Sequence, residues 1–463
     1  MKSTAPSSVS PETHQPSQDK TGTHSQFSLL RERRFFPFFA TQFLGNFNDN
    51  LYKNALVVLV TFSAASWTTM KPEVLTNLAA GVFMLPFFFF SATAGQLADK
   101  FDNARLAQWG KALEIVIIML AALGFWLHSL PWLLTTLFLL GLQGSLFGTL
   151  KYSILPRHLQ NHELVGGNAL VEAGISVAIL LGTLGGGLLA GLHSGIVWIV
   201  SICFALALSG FWASCRIPVT PAPMPELKIS FNLLTETWRC IGFARRKHSV
   251  FLFILGVSWF WLYGTVLLAQ FPVYTKTLLG GNESVVTLLL AVSCIGIGVG
   301  SLLCEKLSRR RGKPVEPGLV PIGALGMMIF GLDLAFAAPA QPSGMALSIV
   351  GVLQHSSTWR VLFDLAMVTG FGSLYCVPLY ALIQQRSEAA YRARVIAGSN
   401  IINALFMIAG ALTTAALLGL GYITIPTLFL CMALLHAGVM IYIFKVVPEF
   451  LVRSLIWLGL RTE

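Results

Sequence analysis

The sequence predicts an all-α membrane protein: 12 transmembrane helices in two six-helix halves. Three observations carry that reading: recurring apolar runs, a one-sided distribution of Lys and Arg, and a repeat relating the first half to the second. The runs are about 20 residues long, enough to cross a hydrocarbon core of about 30 Å. Hydrophobic residues fill 55% of the 463 positions and charged residues only 11%, with a mean hydropathy of +0.72. A soluble domain holds about 25% charged residues, so a soluble fold is excluded.

The first six runs fall at about 35–63, 74–97, 106–127, 131–151, 163–190 and 195–215. The second six fall at about 250–275, 284–304, 317–338, 360–383, 394–419 and 423–446. Residues 1–30 are rich in Ser, Thr, Gln and Pro and lack the apolar core of a signal peptide, so they read as a disordered cytoplasmic tail. The first bundle then spans 31–216, a basic, proline-bearing cytoplasmic linker 217–249, and the second bundle 250–446. Residues 447–463 are too short to span and form an amphipathic cytoplasmic tail. There Phe450, Leu451, Leu455 and Trp457 or Leu458 would lie in the membrane interface, with Arg453 toward the head groups.

Charge placement sets the orientation. Of 31 Lys and Arg, only Lys71, Lys276 and Arg360 fall on the side opposite the termini, while Lys53 and Lys111 lie inside runs. Positive residues accumulate on cytoplasmic loops, so both termini are expected in the cytoplasm. The net charge of +11 is therefore topological. It suits contact with anionic membrane lipids and removes nucleic acid as a partner. The seven cysteines sit at no metal or disulfide spacing, mostly within apolar runs, so no metal or cofactor is expected.

The halves echo each other at three places. "GSLFGTLKYSILPR" (144–157) matches "GSLYCVPLYALIQQR" (372–386), "GGNALVEA" (166–173) matches "GSNIINAL" (398–405), and "GQLADK" (95–100) matches "GSLLCEK" (300–306). Parallel six-helix repeats of this kind resemble the major facilitator fold. "GQLADKFDNAR" also resembles that family's motif between the second and third helices, matched here by Gly95, Asp99, Lys100 and Arg105. The resemblance implies gating of the cytoplasmic side, with Asp99 meeting a helix dipole or an Arg charge.

"LGNFNDNLYKNA", "KYSILP" and "GGNALVEAGISVAILLGTLGGGLLAG" together resemble the bacterial lysophospholipid transporters. The form with a lysine four residues after the aspartate, and the ending "VPEFLVRSLIWLGL", resemble the transporter part of proteins joined to an acyltransferase and an acyl-ligase. The resemblance implies a lysophospholipid substrate, a cytoplasmic acyltransferase or acyl-ligase partner and a place in the bacterial inner membrane.

Polar residues inside the runs are the candidate binding groups, since intramembrane polarity is expensive and usually functional. Asn46, Asp49, Asn50 and Lys53 share one arc of the first run, and i,i+4 spacing allows Asp49 and Lys53 to pair. Asn48 points elsewhere. Lys111 and Glu114 are i,i+3, close enough to the cytoplasmic end for the lysine to snorkel. Lys151 and Tyr152 end the fourth run, where a lysine suits a phosphate. Asn168 and Glu172 share a face of the fifth, and Asn400 takes the equivalent place in the second half. Gly182, Gly186 and Gly191 read as a close-packing face. The second half is mainly apolar and aromatic there, with Trp259, Trp261, Tyr263, Tyr375 and Tyr380. A half-polar cavity suits a substrate with one polar and one fatty end.

No Gly-x4-Gly-Lys-Ser/Thr loop occurs, and in the runs and the loops between them no His-x4-Asp does: His158 is followed at that spacing by Glu163 and His355 by Arg360. The chain reads as a secondary transporter carrying lysophospholipids to the cytoplasmic leaflet for reacylation. Two alternatives stay open: a proton-coupled exporter of amphipathic compounds, using Asp49 or Glu172, and a non-transporting scaffold for lipid-remodelling enzymes.

Overall fold

The computed structural model describes residues 26–63, 72–230, 232–309, 316–337 and 347–460. A 3-10 turn over Gln26–Arg31 precedes the first bundle: α1 (Phe36–Ser63), α2 (Pro72–Lys100), α3 (Asn103–Trp126), α4 (Leu130–His158), α5 (Leu164–Ala190) and α6 (Gly195–Ser214). The linker carries α7 (Leu233–Arg245). The second bundle comprises α8 (His248–Ala269), extended by α9 (Phe271–Tyr274) and a π turn (Thr275–Leu279), then α10 (Glu283–Arg309) and α11 (Leu319–Phe336). It continues through the short α12 (Ile349–Leu353) to α13 (Ser356–Arg386), α14 (Arg392–Gly419) and α15 (Ile425–Val446), and α16 (Glu449–Leu458) closes the chain.

Among the described residues, 11 helical segments are long and apolar enough to cross a membrane. The twelfth long helix, α1, falls outside that set because Asn46, Asn48, Asp49, Asn50, Lys53 and Asn54 crowd its middle. The twelve runs thus match twelve long helices. The fourth and tenth run on further than their apolar stretches, α4 to His158 and α13 from Ser356 to Arg386. Their last turns stay helical where the halves pack together, with residues 151–155 of α4 and 377–384 of α13 buried, while the start of α13 at Ser356 is exposed.

Within each half the helices approach closely where side chains are small. A Cβ on Gly182 would sit 2.7 Å from the Phe47 carbonyl oxygen, and one on Gly186 would sit 2.5 Å from that of Leu51. These two glycines let α5 lie directly on the polar stretch of α1. Gly191 does not share that role; it caps the end of α5. Between halves, α2 packs on α14 and α10 packs on α5, a two-fold arrangement that follows the repeat. Gly95 of α2 faces Ala397 of α14, and Gly166 of α5 faces Glu305 of α10.

Three features depart from the sequence reading. Residues 26–30 belong to an ordered turn rather than the tail, with the Gln26 amide donating to the Leu302 carbonyl at 2.9 Å; residues 1–25 lie outside the described residues. The linker contains the amphipathic α7, which buries Glu236, Cys240, Ile241 and Ala244. In α16, Phe450 is fully buried against Phe253 rather than in the interface, and the Trp457 indole donates to the Leu307 carbonyl at 3.0 Å. Leu451, Leu455 and Leu458 do stay exposed. Of the basic residues that carry the orientation reading, Lys2, Lys20, Lys71, Arg310, Arg311, Lys313 and Arg461 lie outside the described residues.

Candidate functional site

The halves meet most tightly at the end that carries both described termini. There the sequence-predicted residues Lys151, Tyr152 and Glu172 come together. Lys151 lies seven residues from the end of α4, about 10 Å along the helix axis, and is 9% exposed. Its Nζ donates to Glu172 Oε1 of α5 at 2.9 Å, and Tyr152 OH donates to the same oxygen at 2.5 Å. The Tyr152 ring stacks on that of Tyr380 from α13, with centroids 4.0 Å apart and planes 12° apart. Tyr380 OH in turn accepts from the Trp261 indole of α8 at 2.8 Å. One connected chain therefore runs from a cation in the first half to an indole in the second.

Composition suggested only an apolar wall at Tyr380 and Trp261. A sharper signal was present: in the matched segments "KYSILPR" and "LYALIQQR", Tyr152 and Tyr380 occupy the same position. The two-fold relation brings these equivalent tyrosines face to face, and places Leu379 where the first half has Lys151.

Other predicted residues form ties between halves. Asn168 and Gln384 exchange side-chain hydrogen bonds at 2.7 and 3.1 Å, both buried. With both amides satisfied, Asn168 acts as a tie rather than an open binding group. Asn400 donates to Thr149 at 3.4 Å across the same seam. Asp99, fully buried at the end of α2, accepts from Arg394 Nε at 2.8 Å and from the Ala393 amide at 3.2 Å. It thereby meets both an arginine charge and the first turn of α14. Gly95, one turn earlier, lets the backbones approach. Lys100 lies over the Phe101 ring and Arg105 is exposed, so neither takes part in this tie.

The same end holds an ion pair outside the spans. Arg34 forks onto both Glu163 carboxylate oxygens at 2.8 and 2.6 Å and onto the His158 carbonyl at 2.9 Å. Hydrogen bonding to Glu163 raises Arg34 above its ordinary value. Burial alone would raise the Glu163 carboxyl, but the Arg34 fork and the Gln160 amide outweigh it and hold it below its ordinary range. A depressed carboxylate contributes stability above its unfolded pKa and loses it as pH falls through the folded value. Wild type should therefore be more stable than Glu163→Gln above about pH 5, the gap closing on acidification. Thermal midpoints of both proteins in detergent across pH check this.

The polar stripe of α1 is organised differently from the simple pairing its spacing allows. Asp49 and Lys53 form no ion pair: Lys53 Nζ donates to Asn50 Oδ1 at 3.1 Å and lies over the Phe83 ring. An i,i+4 spacing permits a pair without enforcing it, and the neighbouring amide and ring satisfy the lysine instead. Asn46 and Asn50 donate back to the helix carbonyls four residues earlier, at 2.9 and 2.8 Å. Asp49 Oδ1 is buried without a hydrogen-bond partner, and Asp49 lies about 20 Å along α1 from its start. The stripe is thus a polar layer deeper in the bundle than Lys151.

Lys111 does not snorkel. It is 1% exposed and Glu114 0%; Nζ donates to Glu114 Oε2 at 2.5 Å. Asn48 of α1 and Gln143 of α4 donate to the same carboxylate at 2.7 and 2.9 Å. A Cβ on Gly45 would lie 2.4 Å from Lys111 Nζ and one on Gly210 3.3 Å from its stem. Two glycines from α1 and α6 form the socket, drawing the lysine inward and locking four helices.

The sequence pattern of the Major Facilitator Superfamily matches residues 35–354. The chain belongs to that superfamily. Membership places it among membrane transporters rather than enzymes. Curated relatives named lysophospholipid transporter LplT are similar to this superfamily member over most of its length. The Citrobacter koseri protein is 28% identical over 394 residues, 83% of this chain and 89% of its own. The Serratia proteamaculans protein is 25% identical over 366 residues, 78% and 82%. Among solved structures, the human organic anion transporter MFSD10 aligns with a TM-score of 0.66 at 14% identity, over 89% of this chain and 98% of its own. The transporter FucP in the outward conformation aligns at 0.65 and 14%, over 89% and 99%. These likenesses show the superfamily fold.

Proposed function

We propose that the protein is a secondary carrier that moves lysophospholipids across the bacterial inner membrane to the cytoplasmic leaflet, where a partner acyltransferase or acyl-ligase restores the diacyl lipid. The names of the LplT relatives support the substrate class. The charge bias of the loops supports a cytoplasmic location for the termini-bearing end, so the seam there is the cytoplasmic gate in its closed state.

Lys151 is the observation that carries the reading. It is a nearly buried cation at the seam of the halves, and its one hydrogen bond is to a single Glu172 oxygen. An ammonium has three donors, so a phosphate can take over from the carboxylate. The deeper α1 layer, with Asn46, Asp49, Asn50 and Lys53, offers polar contacts to the rest of a head group, while Gly95, Asp99 and the Arg394 tie govern opening.

The test is flipping of labelled lysophosphatidylethanolamine in proteoliposomes, comparing wild type with Lys151→Ala and Asp49→Ala. A charge-assisted contact is worth about 1.5–3 kcal/mol, so Lys151→Ala should slow flipping about 10- to 100-fold. Folded wild type that flips no faster than protein-free vesicles overturns the reading. A second reading is favoured by the unpartnered Asp49 oxygen: proton-coupled export of amphipathic compounds. It requires that a protonophore abolish transport and that diverse amphiphiles compete.

A further inference from the structure

We infer that the stacked Tyr152–Tyr380 pair is the inner gate, and that it is released by the anionic group that binds Lys151; Trp261 is the residue that positions Tyr380 in the second half. The inference rests on the carrier reading for the ligand, but its geometry stands on the stack itself.

Tyr152 and Tyr380 come from opposite halves and from equivalent places in the repeat. Rocking the halves apart at this end must break that stack, because each ring is fixed to its own half. The Tyr152 hydroxyl is tied to Glu172, and the Tyr380 hydroxyl to Trp261. Neither tie crosses the seam; the ring contact does. Each hydroxyl bond therefore sets a ring's orientation for stacking, and the ring pair does the closing.

The first-half tie carries a second message. Glu172 Oε1 holds Lys151 and Tyr152 at once, and Lys151 also lies 4.3 Å from the Tyr152 ring centroid. A phosphate arriving at Lys151 competes with Glu172 for the ammonium. The carboxylate then loses its cation inside a poorly hydrated seam, where an unpaired charge is costly. It reorients, and Tyr152 loses the acceptor that holds its ring against Tyr380. Ligand binding thus acts differentially on the closed and open states, as a population shift requires.

The asymmetry of the repeat fits this division of labour. The second half has Leu379 beside Tyr380 and uses an uncharged indole to hold it. Only the first-half tyrosine is wired to a charge that a ligand can compete for. Tyr380 is a fixed post, and Tyr152 is the part that moves.

The test measures spin-label distances across the closed end, with His162→Cys on the α4–α5 connection and Ala389→Cys on the α13–α14 connection. Both positions are exposed; the exposed Cys215 and Cys431 are replaced by Ser. Purified full-length protein is measured in nanodiscs with and without lysophosphatidylethanolamine. Wild type should show a short distance that gains a longer population on adding the lipid. Tyr380→Ala should show the longer population without lipid. Tyr152→Phe lacks the Glu172 bond that holds the ring against Tyr380, so it should show the longer population without lipid and no further response on adding it. Trp261→Phe should weaken closure partially.

If Tyr380→Ala keeps the wild-type short distance, or Tyr152→Phe responds to lipid as fully as wild type, the gate assignment is overturned, whatever flipping shows. If Tyr380→Ala opens the seam while wild type ignores the lipid, the tyrosine gate stands and its release by this lipid is overturned. Tyr152→Phe changes one hydroxyl, so it remains informative even if Tyr380→Ala fails to fold.

Discussion

Lys111→Met should destabilise the first bundle by about 3–5 kcal/mol, the usual consequence of removing one partner from a buried ion pair. Glu114 stays fully buried, and the Asn48 and Gln143 amides that remain donate without supplying a compensating charge. Adding Glu114→Gln should recover most of the loss, because a neutral amide can still bond to Asn48 and Gln143. The measurement is a double-mutant cycle of thermal midpoints in detergent, set beside flipping activity. A locking role requires both singles to fall well below wild type and the double to lie close to it. A single mutant with wild-type stability but little transport would instead assign this pair to the substrate path.

This cluster also shows where sequence legibility ends. The spans were readable because apolar runs of membrane length have few other uses, and the two-fold plan was readable from three matched segments. Lys151, Tyr152 and Glu172 were picked out by their resemblance to known motifs, and the structure brings them into one bonded group. Lys111 was misread because its socket is built by absence: Gly45 and Gly210 make room for it, and both lie on other helices far along the chain. Asp49 and Lys53 failed for a different reason. Helical spacing defines which contacts are within reach, but Lys53 had Asn50 and Phe83 within reach as well. The α7 helix was hidden because a short amphipathic segment in a basic linker resembles a solvated loop until the bundle surface it covers is known.

The ties across the seam differ in kind, and the difference bears on how the carrier opens. Asn168 with Gln384 is a neutral reciprocal amide pair, which water can replace on each side once the halves part. The tyrosine stack is apolar contact with ligand-sensitive support. Asp99 with Arg394 is ionic and buried, so separating it exposes two charges that must be rehydrated. Such a tie weights the closed state most heavily, yet it can still open because both partners sit at the end of the bundle, where water is near.

Asp99→Ala should therefore shift the conformational balance more than any other single tie. Arg394 is left buried with the Met224 sulfur and the Phe243 ring as its side-chain contacts and no compensating charge from either, and the first turn of α14 loses the acceptor for its Ala393 amide. Losing one partner of a buried pair is worth about 3–5 kcal/mol, so the open fraction should rise on the order of 10²-fold or more. A native reporter lies beside the lock. Cys240 of α7 is 0% exposed, and its backbone packs against Gly398 of α14. Burial pushes its thiol up to about 12, with Glu236 adding to the effect. In wild type Cys240 should react with a maleimide only during rare openings, and Asp99→Ala should speed that reaction in proportion to the open fraction. Peptide-resolved mass spectrometry separates it from the exposed Cys215 and Cys431. Asp99→Asn, which keeps one acceptor oxygen where two donors now use separate oxygens and removes the charge, should fall between the two. An unchanged Cys240 rate in Asp99→Ala would mean that the arginine pair holds α2 and α14 together in every state, and that the seam opens elsewhere.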